Sequence, residues 1–333
     1  MGIDNETVNA TALLSNNAYC KNNCKNQFLY KSNIYHIERY THRPFWPFNK
    51  LKHDENGNSI ANSYIKMQNK MPYDKLMANI FLLMKKTENI ESKTGYKVIP
   101  KFLYDTQIGY AYNAKANIAF IVVRGSNSKS NWLTDLDVTP VEFLNTKTHV
   151  LAGWYNYMSV ALNSYSDNTY LTLDQEIAIA TKNQAKFIVT GHSLGGSVAP
   201  LFAAYLHTKY KVSGDDIQLI TYAEGPIYMA DFVQKYESTF SHYIHFYNIG
   251  NPNCQTSIIG DPVVSLPLIF KTHPFGYSQL VSDDSDKNGG LAPLVPKSAP
   301  EKIKYLLSLH SMNDYQAYIQ ETYIKGQKFV FWI

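Results

Sequence analysis

The residues best suited to do chemistry lie at the junction of an apolar run and a long helix-forming one. Phe187, Ile188 and Val189 lead into Gly191-His192-Ser193-Leu194-Gly195-Gly196, and the helical run Leu194–Tyr210 begins at once. A serine between two glycines at this strand-to-helix junction suits nucleophilic attack on an acyl carbon. The glycines lack a Cβ, so strand and helix can approach closely while Ser193 is forced into a strained backbone conformation with its hydroxyl exposed. The helix N-terminus favours developing negative charge, and the Leu194 N–H points towards a tetrahedral oxyanion.

A serine hydroxyl is a poor nucleophile near neutral pH. It needs a histidine to take its proton and a carboxylate to fix the imidazole tautomer. Ten histidines compete for that task. His192 adjoins the nucleophile, points elsewhere, and is grouped with the residues lining the substrate path. His207 falls in the middle of the helix after Ser193. His310 precedes a helix whose start is marked by Ser311 and Asp314, which places it on a loop. His273, in Thr272-His273-Pro274, is its rival. Asp261 stands before Pro262, which steers its backbone away from helix into a rigid loop, although Asp-Pro also marks plain turns. Ser126 follows the β-branched run Ile118–Val123 and is the expected second oxyanion donor, its alternative being a turn serine.

With these residues in place, the chain resembles the class 3 (fungal-type) lipase family over about residues 100–325. GHSLGG after an apolar strand matches that family's nucleophile. Arg124-Gly125-Ser126 followed by Asn131-Trp132-Leu133 resembles its oxyanion strand end and lid, and Leu151-Ala152-Gly153-Trp154 its next helix start. Gly260-Asp261-Pro262-Val263 with Leu266-Pro267 resembles its acid loop, and His310-Ser311-Met312 with Tyr315 its histidine loop. Ala18-Tyr19-Cys20 closes a first helix of similar look. The resemblance implies the order Ser193, Asp261, His310. It sets aside His273, and also Asp135 and Asp137, which lie upstream of Ser193. It further implies a lid carrying Trp132, Leu133 and Leu136 on one face of a short helix, the alternative being an ordinary packed tryptophan turn.

The implied activity is hydrolysis of lipid carboxylic esters through an acyl-enzyme, with no cofactor and with transient contact at a lipid interface. Acylglycerol lipase and phospholipase A1 share every residue named. An inactive lipase-like scaffold and a short-chain esterase or thioesterase are the alternatives. Where the family has a Gly-x-Pro-Arg-x-Gly turn, this chain reads Ala223-Glu224-Gly225-Pro226-Ile227-Tyr228, a departure that bears on the acyl pocket.

The elements that must position these residues alternate in type. Gln107–Tyr112, Ile118–Val123, Lys186–Thr190, Gln218–Tyr222 and His242–Asn248 read as strands, and so does Tyr96–Tyr104. Val150–Tyr165, Leu171–Asn183 and Leu194–Tyr210 read as helices. Such alternation implies an α/β-hydrolase fold, with a central mostly parallel sheet and helices on both faces. The expected organisation is one domain: a helical and irregular extension over 1–95, packed on a core over 96–333. Within that extension residues 1–19 form a helix, Thr41–Phe48 is a Pro- and aromatic-rich loop, and Tyr73–Glu88 has amphipathic spacing.

Over 333 residues, 45% hydrophobic and 17% charged residues are compatible with a large core and too apolar for a disordered chain. The formal charge of +4 is spread without a basic run, so nucleic acid is not an expected partner. The N-terminus carries Asp4 and Glu6 and no standard export signal, and no run approaches a membrane span, so a soluble protein is expected. Cys20, Cys24 and Cys254 are an odd set. Cys20 and Cys24 can pair if their segment is not helical, and reduced cysteines are the expectation. Asp284-x-Asp286-x-Asn288-Gly289 resembles half a calcium loop, but position twelve is Val295, so a plain acidic turn is expected and no metal site is assigned. Phe329–Ile333 is read as packing on the core.

Overall fold

The computed structural model describes residues 3–20, 24–42, 104–126, 138–166, 168–248, 261, 263–264, 278–281 and 310–324. In chain order these form α1 (Asn5–Asn17), β1 (Gln27–Tyr30), β2 (Asn33–His36), β3 (Glu38–His42), β4 (Thr106–Asn113), β5 (Ile118–Val123), β6 (Pro140–Glu142) and β7 (His149–Leu151). There follow α2 (Ala152–Leu162), β8 (Tyr165–Ser166), α3 (Leu173–Lys182), β9 (Lys186–His192), α4 (Leu194–Tyr210), β10 (Ile217–Tyr222), α5 (Ala230–Tyr236), β11 (His242–Asn248), β12 (Ser278–Val281) and α6 (Met312–Ile324).

Eight strands make the central sheet in the order β12-β11-β10-β9-β5-β4-β3-β8. From β5 to β12 every pairing is parallel, whereas β4, β3 and β8 extend one edge in antiparallel pairings. β5 and the Phe187–Val189 stretch of β9 are apolar without interruption because both of their faces are covered. In β5, Ala119, Ile121 and Val123 join the core cluster that contains α2 and α4, while Phe120 and Val122 join the cluster that contains α1 and α6. Phe187 and Val189 against Ile188 in β9, and Ile217 and Leu219 against Ile220 and Tyr222 in β10, divide the same way. This period-two division is what places helices on both faces. The result is the expected α/β-hydrolase fold.

The helix α1 lies on the sheet although much of its buried face is polar. Thr7 Oγ1 meets Tyr30 Oη at 2.8 Å, Thr11 Oγ1 meets Tyr222 Oη at 2.8 Å, and Ser15 Oγ meets Thr190 Oγ1 at 3.1 Å. Each buried hydroxyl has a partner, which removes the desolvation penalty that an unpaired one would carry. Asp4 caps the helix by accepting the Thr7 N–H at 2.8 Å, an interaction worth about 1 kcal/mol.

Several expectations are corrected here. Residues 27–42 are not irregular: β1 and β2 form a hairpin, and β3 pairs with β4 inside the main sheet. Thr41 and His42, assigned to a loop, end β3; Pro44, which cannot donate to a ladder, comes two residues later. The helix expected over Val150–Tyr165 is shorter, because Val150 and Leu151 belong to β7 and Tyr165 to the edge strand β8. Cys20 and Cys24 are joined by a disulfide, with Cα atoms 5.4 Å apart, in a segment past the end of α1, so the reduced expectation fails for this pair. Cys254, Tyr73–Glu88, Asp284–Gly289 and Phe329–Ile333 lie outside the described residues, as does all of Tyr96–Tyr104 except Tyr104. Among the described residues no helix is long and apolar enough to cross a membrane.

Candidate active site

Strand register brings the reactive residues to one edge. Val123 pairs with Gly191 and Tyr222 pairs with His192, so β5, β9 and β10 end side by side. Ser193 follows β9 with φ 59° and ψ −129°, a conformation that L residues adopt only under constraint. The constraint is visible on both sides. Its N–H donates to Tyr222 O at 3.0 Å, and its carbonyl accepts the Ser197 N–H at 3.0 Å as α4 begins. A Cβ at Gly191 would run into the Gly195 backbone, and one at Gly195 into the Val123 carbonyl. Glycine at both positions is therefore what lets strand, turn and helix meet beneath the serine.

His310 precedes α6, and its Nε2 lies 2.7 Å from Ser193 Oγ. Its Nδ1 faces both Asp261 oxygens, at 2.9 and 2.8 Å. Because a carboxylate only accepts, Nδ1 carries the proton and the Nε2 lone pair faces the serine hydroxyl. Asp261 is buried, with 1% of its surface exposed, and its own N–H docks on Asn248 O at 2.7 Å, at the end of β11. Oδ1 also accepts the Val263 N–H at 2.9 Å, and Oδ2 the Tyr315 hydroxyl at 2.9 Å. This arrangement can move a proton from Ser193 to His310 while the carboxylate steadies the resulting imidazolium.

On the oxyanion side, Leu194 opens α4 and is buried, and Ser126 stands three residues beyond β5. The strand end before Ser126 is tightly held. Arg124 reaches Asp105 and Gln107, both at 3.0 Å, and Tyr157 donates to Arg124 O at 3.0 Å. The lid residues Trp132, Leu133 and Leu136, the rival His273, and Asp135 and Asp137 lie outside the described residues.

His192 differs from its sequence-based grouping with substrate-lining residues. It is buried and packs on the His310 ring, with ring centroids 4.8 Å apart. Its Nε2 is 2.8 Å from His310 O, so Nε2 donates, and Nδ1 accepts the Tyr19 hydroxyl at 2.8 Å. Burial, followed by the neighbouring His310, holds its pKa well below the usual imidazole value. It is a neutral brace rather than a second base.

Glu224 also sits at this edge, but its partners are Thr221 at 2.7 Å, Tyr243 and Tyr228, not Ser193 or His310. Tyr228 gives its proton to Ser197 O at 2.7 Å, which leaves its oxygen as an acceptor for a protonated Glu224. Burial pushes the Glu224 carboxyl up to about 8. The turn that departs from the family pattern thus buries a neutral acid.

Tyr19 and Tyr315 escaped assignment from sequence, although both fall inside quoted motifs. Tyr19 is 173 residues from His192 and Tyr315 is 54 from Asp261, and no local pattern reports such distant partners.

Comparison with known proteins finds similarity to lipases. Residues 120–268 match the model of the family described as lipase (class 3). A lipase of Rhizomucor miehei is 29% identical over 174 residues, 50% of this chain and 42% of its own length. A secreted mono- and diacylglycerol lipase of Fusarium solani is 33% identical over 125 residues, 36% of this chain and 34% of its own. The solved structure of Rhizomucor miehei triacylglyceride lipase is 25% identical and superposes with a TM-score of 0.42, covering 55% of this chain and 64% of that one. The chain thus spans less than half the length of the two sequence relatives. Residues 120–268, which hold the strained serine and the acid, are similar to the class 3 lipase family.

Proposed function

We propose that the protein is a serine carboxylic-ester hydrolase acting on acylglycerols. The observation that carries this reading is the pair of contacts made by His310, Nε2 to Ser193 Oγ at 2.7 Å and Nδ1 to Asp261 at 2.8 Å, beside a serine held at φ 59°. Ser193 Oγ attacks the ester carbonyl as its proton passes to His310 Nε2. The tetrahedral oxyanion accepts the N–H groups of Leu194 and Ser126, each such donor contributing about 2.7–4 kcal/mol to transition-state stabilisation. The imidazolium then protonates the leaving alkoxide, and the acyl group stays on Ser193. Water, deprotonated by His310, attacks the acyl-enzyme and releases the fatty acid.

The Fusarium solani relative, a mono- and diacylglycerol lipase, favours acylglycerols over phospholipids as the substrate class. The segment 128–136, with Trp132, Leu133 and Leu136, fits a gate that opens at a lipid surface; a rate that rises when substrate passes from monomers to aggregates supports this, and a flat one opposes it.

The test is a panel of mono-, di- and triacylglycerols, phospholipid and short-chain esters, assayed with the wild-type chain and Ser193→Ala. The expected result is fatty-acid release from acylglycerols, falling on the order of 10⁴–10⁶-fold in the variant. Hydrolysis retained by Ser193→Ala overturns the reading. Release from phospholipid alone overturns the substrate class.

A further inference from the structure

We infer that Tyr315 is the positioning residue that fixes the Asp261 carboxylate, and through it the His310 imidazole, for proton transfer from Ser193. The inference rests on the ester-hydrolase reading above. Tyr315 lies on α6, five residues beyond His310, and is 1% exposed. Its hydroxyl oxygen accepts the Asn248 N–H at 2.8 Å and its proton goes to Asp261 Oδ2 at 2.9 Å. A hydroxyl has one proton, so with Asn248 as donor the direction of the second bond is fixed. Asn248 closes the ring from its other side, because its carbonyl takes the Asp261 N–H at 2.7 Å. The end of β11 therefore holds both the backbone of the acid and the tyrosine that steers its side chain.

Any buried phenol needs a partner, but one there only to fill space would not need the carboxylate that faces His310 as its acceptor. Two donors, Tyr315 on Oδ2 and Val263 on Oδ1 at 2.9 Å, leave the carboxylate a single orientation, with both oxygens towards His310 Nδ1. Among the described residues, the other titratable groups facing this pair are His192, whose ring is 5.9 Å from Tyr315, Tyr222 at 6.3 Å, Asp314 on α6, and Tyr19 through His192. Burial, with Asp261 and Asp314 adding to it, holds the Tyr315 phenol well above its ordinary value, so it stays a donor at working pH.

Loss of the donor leaves more negative charge facing His310 and stabilises its protonated form. The neutral base that attack requires then appears only at higher pH. Three full-length proteins decide the matter: wild type, Tyr315→Phe, and a chain with 3,5-difluorotyrosine at position 315. The last keeps ring and hydroxyl but is a stronger donor. Hydrolysis of p-nitrophenyl butyrate is followed against pH, and the downfield proton resonance of the His310–Asp261 bond is titrated without substrate.

For Tyr315→Phe the expected result is a kcat about 5- to 10-fold lower, KM within about twofold, and the acid limb of kcat/KM raised by about half a pH unit. The resonance titration shifts in the same direction. Difluorotyrosine shifts both the opposite way. Unchanged profiles and titrations in Tyr315→Phe, or shifts of one sign in both variants, overturn the proposal. If the phenylalanine variant does not fold, the difluorotyrosine protein carries the test. If wild type hydrolyses no ester, the enzymatic reading fails, and the substrate-free titration still decides what Tyr315 does.

Discussion

Two carboxyl groups are buried a strand apart at one edge of the sheet, and they are held in opposite ways. Asp261, on the loop after β11, receives an imidazole N–H, a phenol and a backbone N–H. Glu224, on the turn after β10, receives hydroxyls from Thr221 and Tyr243, and among the described residues no cation bonds to it. The first environment suits a carboxylate whose task is to steady a developing positive charge. The second pushes the acid up to about 8 and keeps it neutral. Burial is common to both. What distinguishes them is whether the donors around each can answer a full negative charge.

The largest effect should come from breaking the first environment. Asp261→Asn removes the charge and reverses the hydrogen-bonding sense at His310 Nδ1, which favours the wrong tautomer. A fall in kcat on the order of 10⁴ is expected at neutral pH, with the fold intact by circular dichroism. Glu224→Gln should do the reverse and leave kcat within about twofold. Its consequence is for stability. A carboxyl at about 8 in the folded state, against an ordinary 4.5, favours folding fully below pH 4.5, and that contribution is lost as pH rises through about 8. Within that window wild type should lose roughly 1.4 kcal/mol per pH unit relative to Glu224→Gln, read as a Tm difference that grows from pH 5 to 8. A constant difference would show that Glu224 is not the neutral acid described.

A smaller effect sharpens the same contrast. His192 braces His310 without touching either carboxyl, through its Nε2–H on the His310 carbonyl. Replacing it by phenylalanine keeps a ring against His310 but removes that bond and the one from Tyr19. The expected cost is about tenfold in kcat. The pH dependence of Tm set by Glu224 should be unaffected. A loss as large as that of Asp261→Asn would mean that His192 takes part in proton transfer.

Ser193, Asp261 and His310 were legible in the sequence as candidates because the roles proposed for them restrict residue type and local setting together: glycines around a serine at a strand end, an Asp-Pro loop, a histidine ahead of a helix. The same holds for β5 and for Phe187–Val189 of β9, whose double burial writes an unbroken apolar run. Tyr315, Tyr19 and Glu224 acquire their roles only when distant segments close on one another, so composition could at most flag them as departures or as parts of a motif. Strands β1 to β3 went unread for another reason. Phe28, Tyr30 and Tyr35 do alternate, but in segments of four residues crowded by Lys and Asn, too short for period two to outweigh the polar neighbours. His192 misled because it adjoins the nucleophile in sequence while both its ring nitrogens are taken by Tyr19 and the His310 carbonyl.

The central claim, that Ser193 is a nucleophile activated through His310, is tested most directly by reacting the full-length protein with a fluorophosphonate and locating the adduct by mass spectrometry. The expected result is one phosphonyl group per chain, on the peptide containing Ser193, formed far more slowly in Asp261→Asn. A folded wild-type protein that stays unmodified, or carries the adduct on another residue, would contradict it.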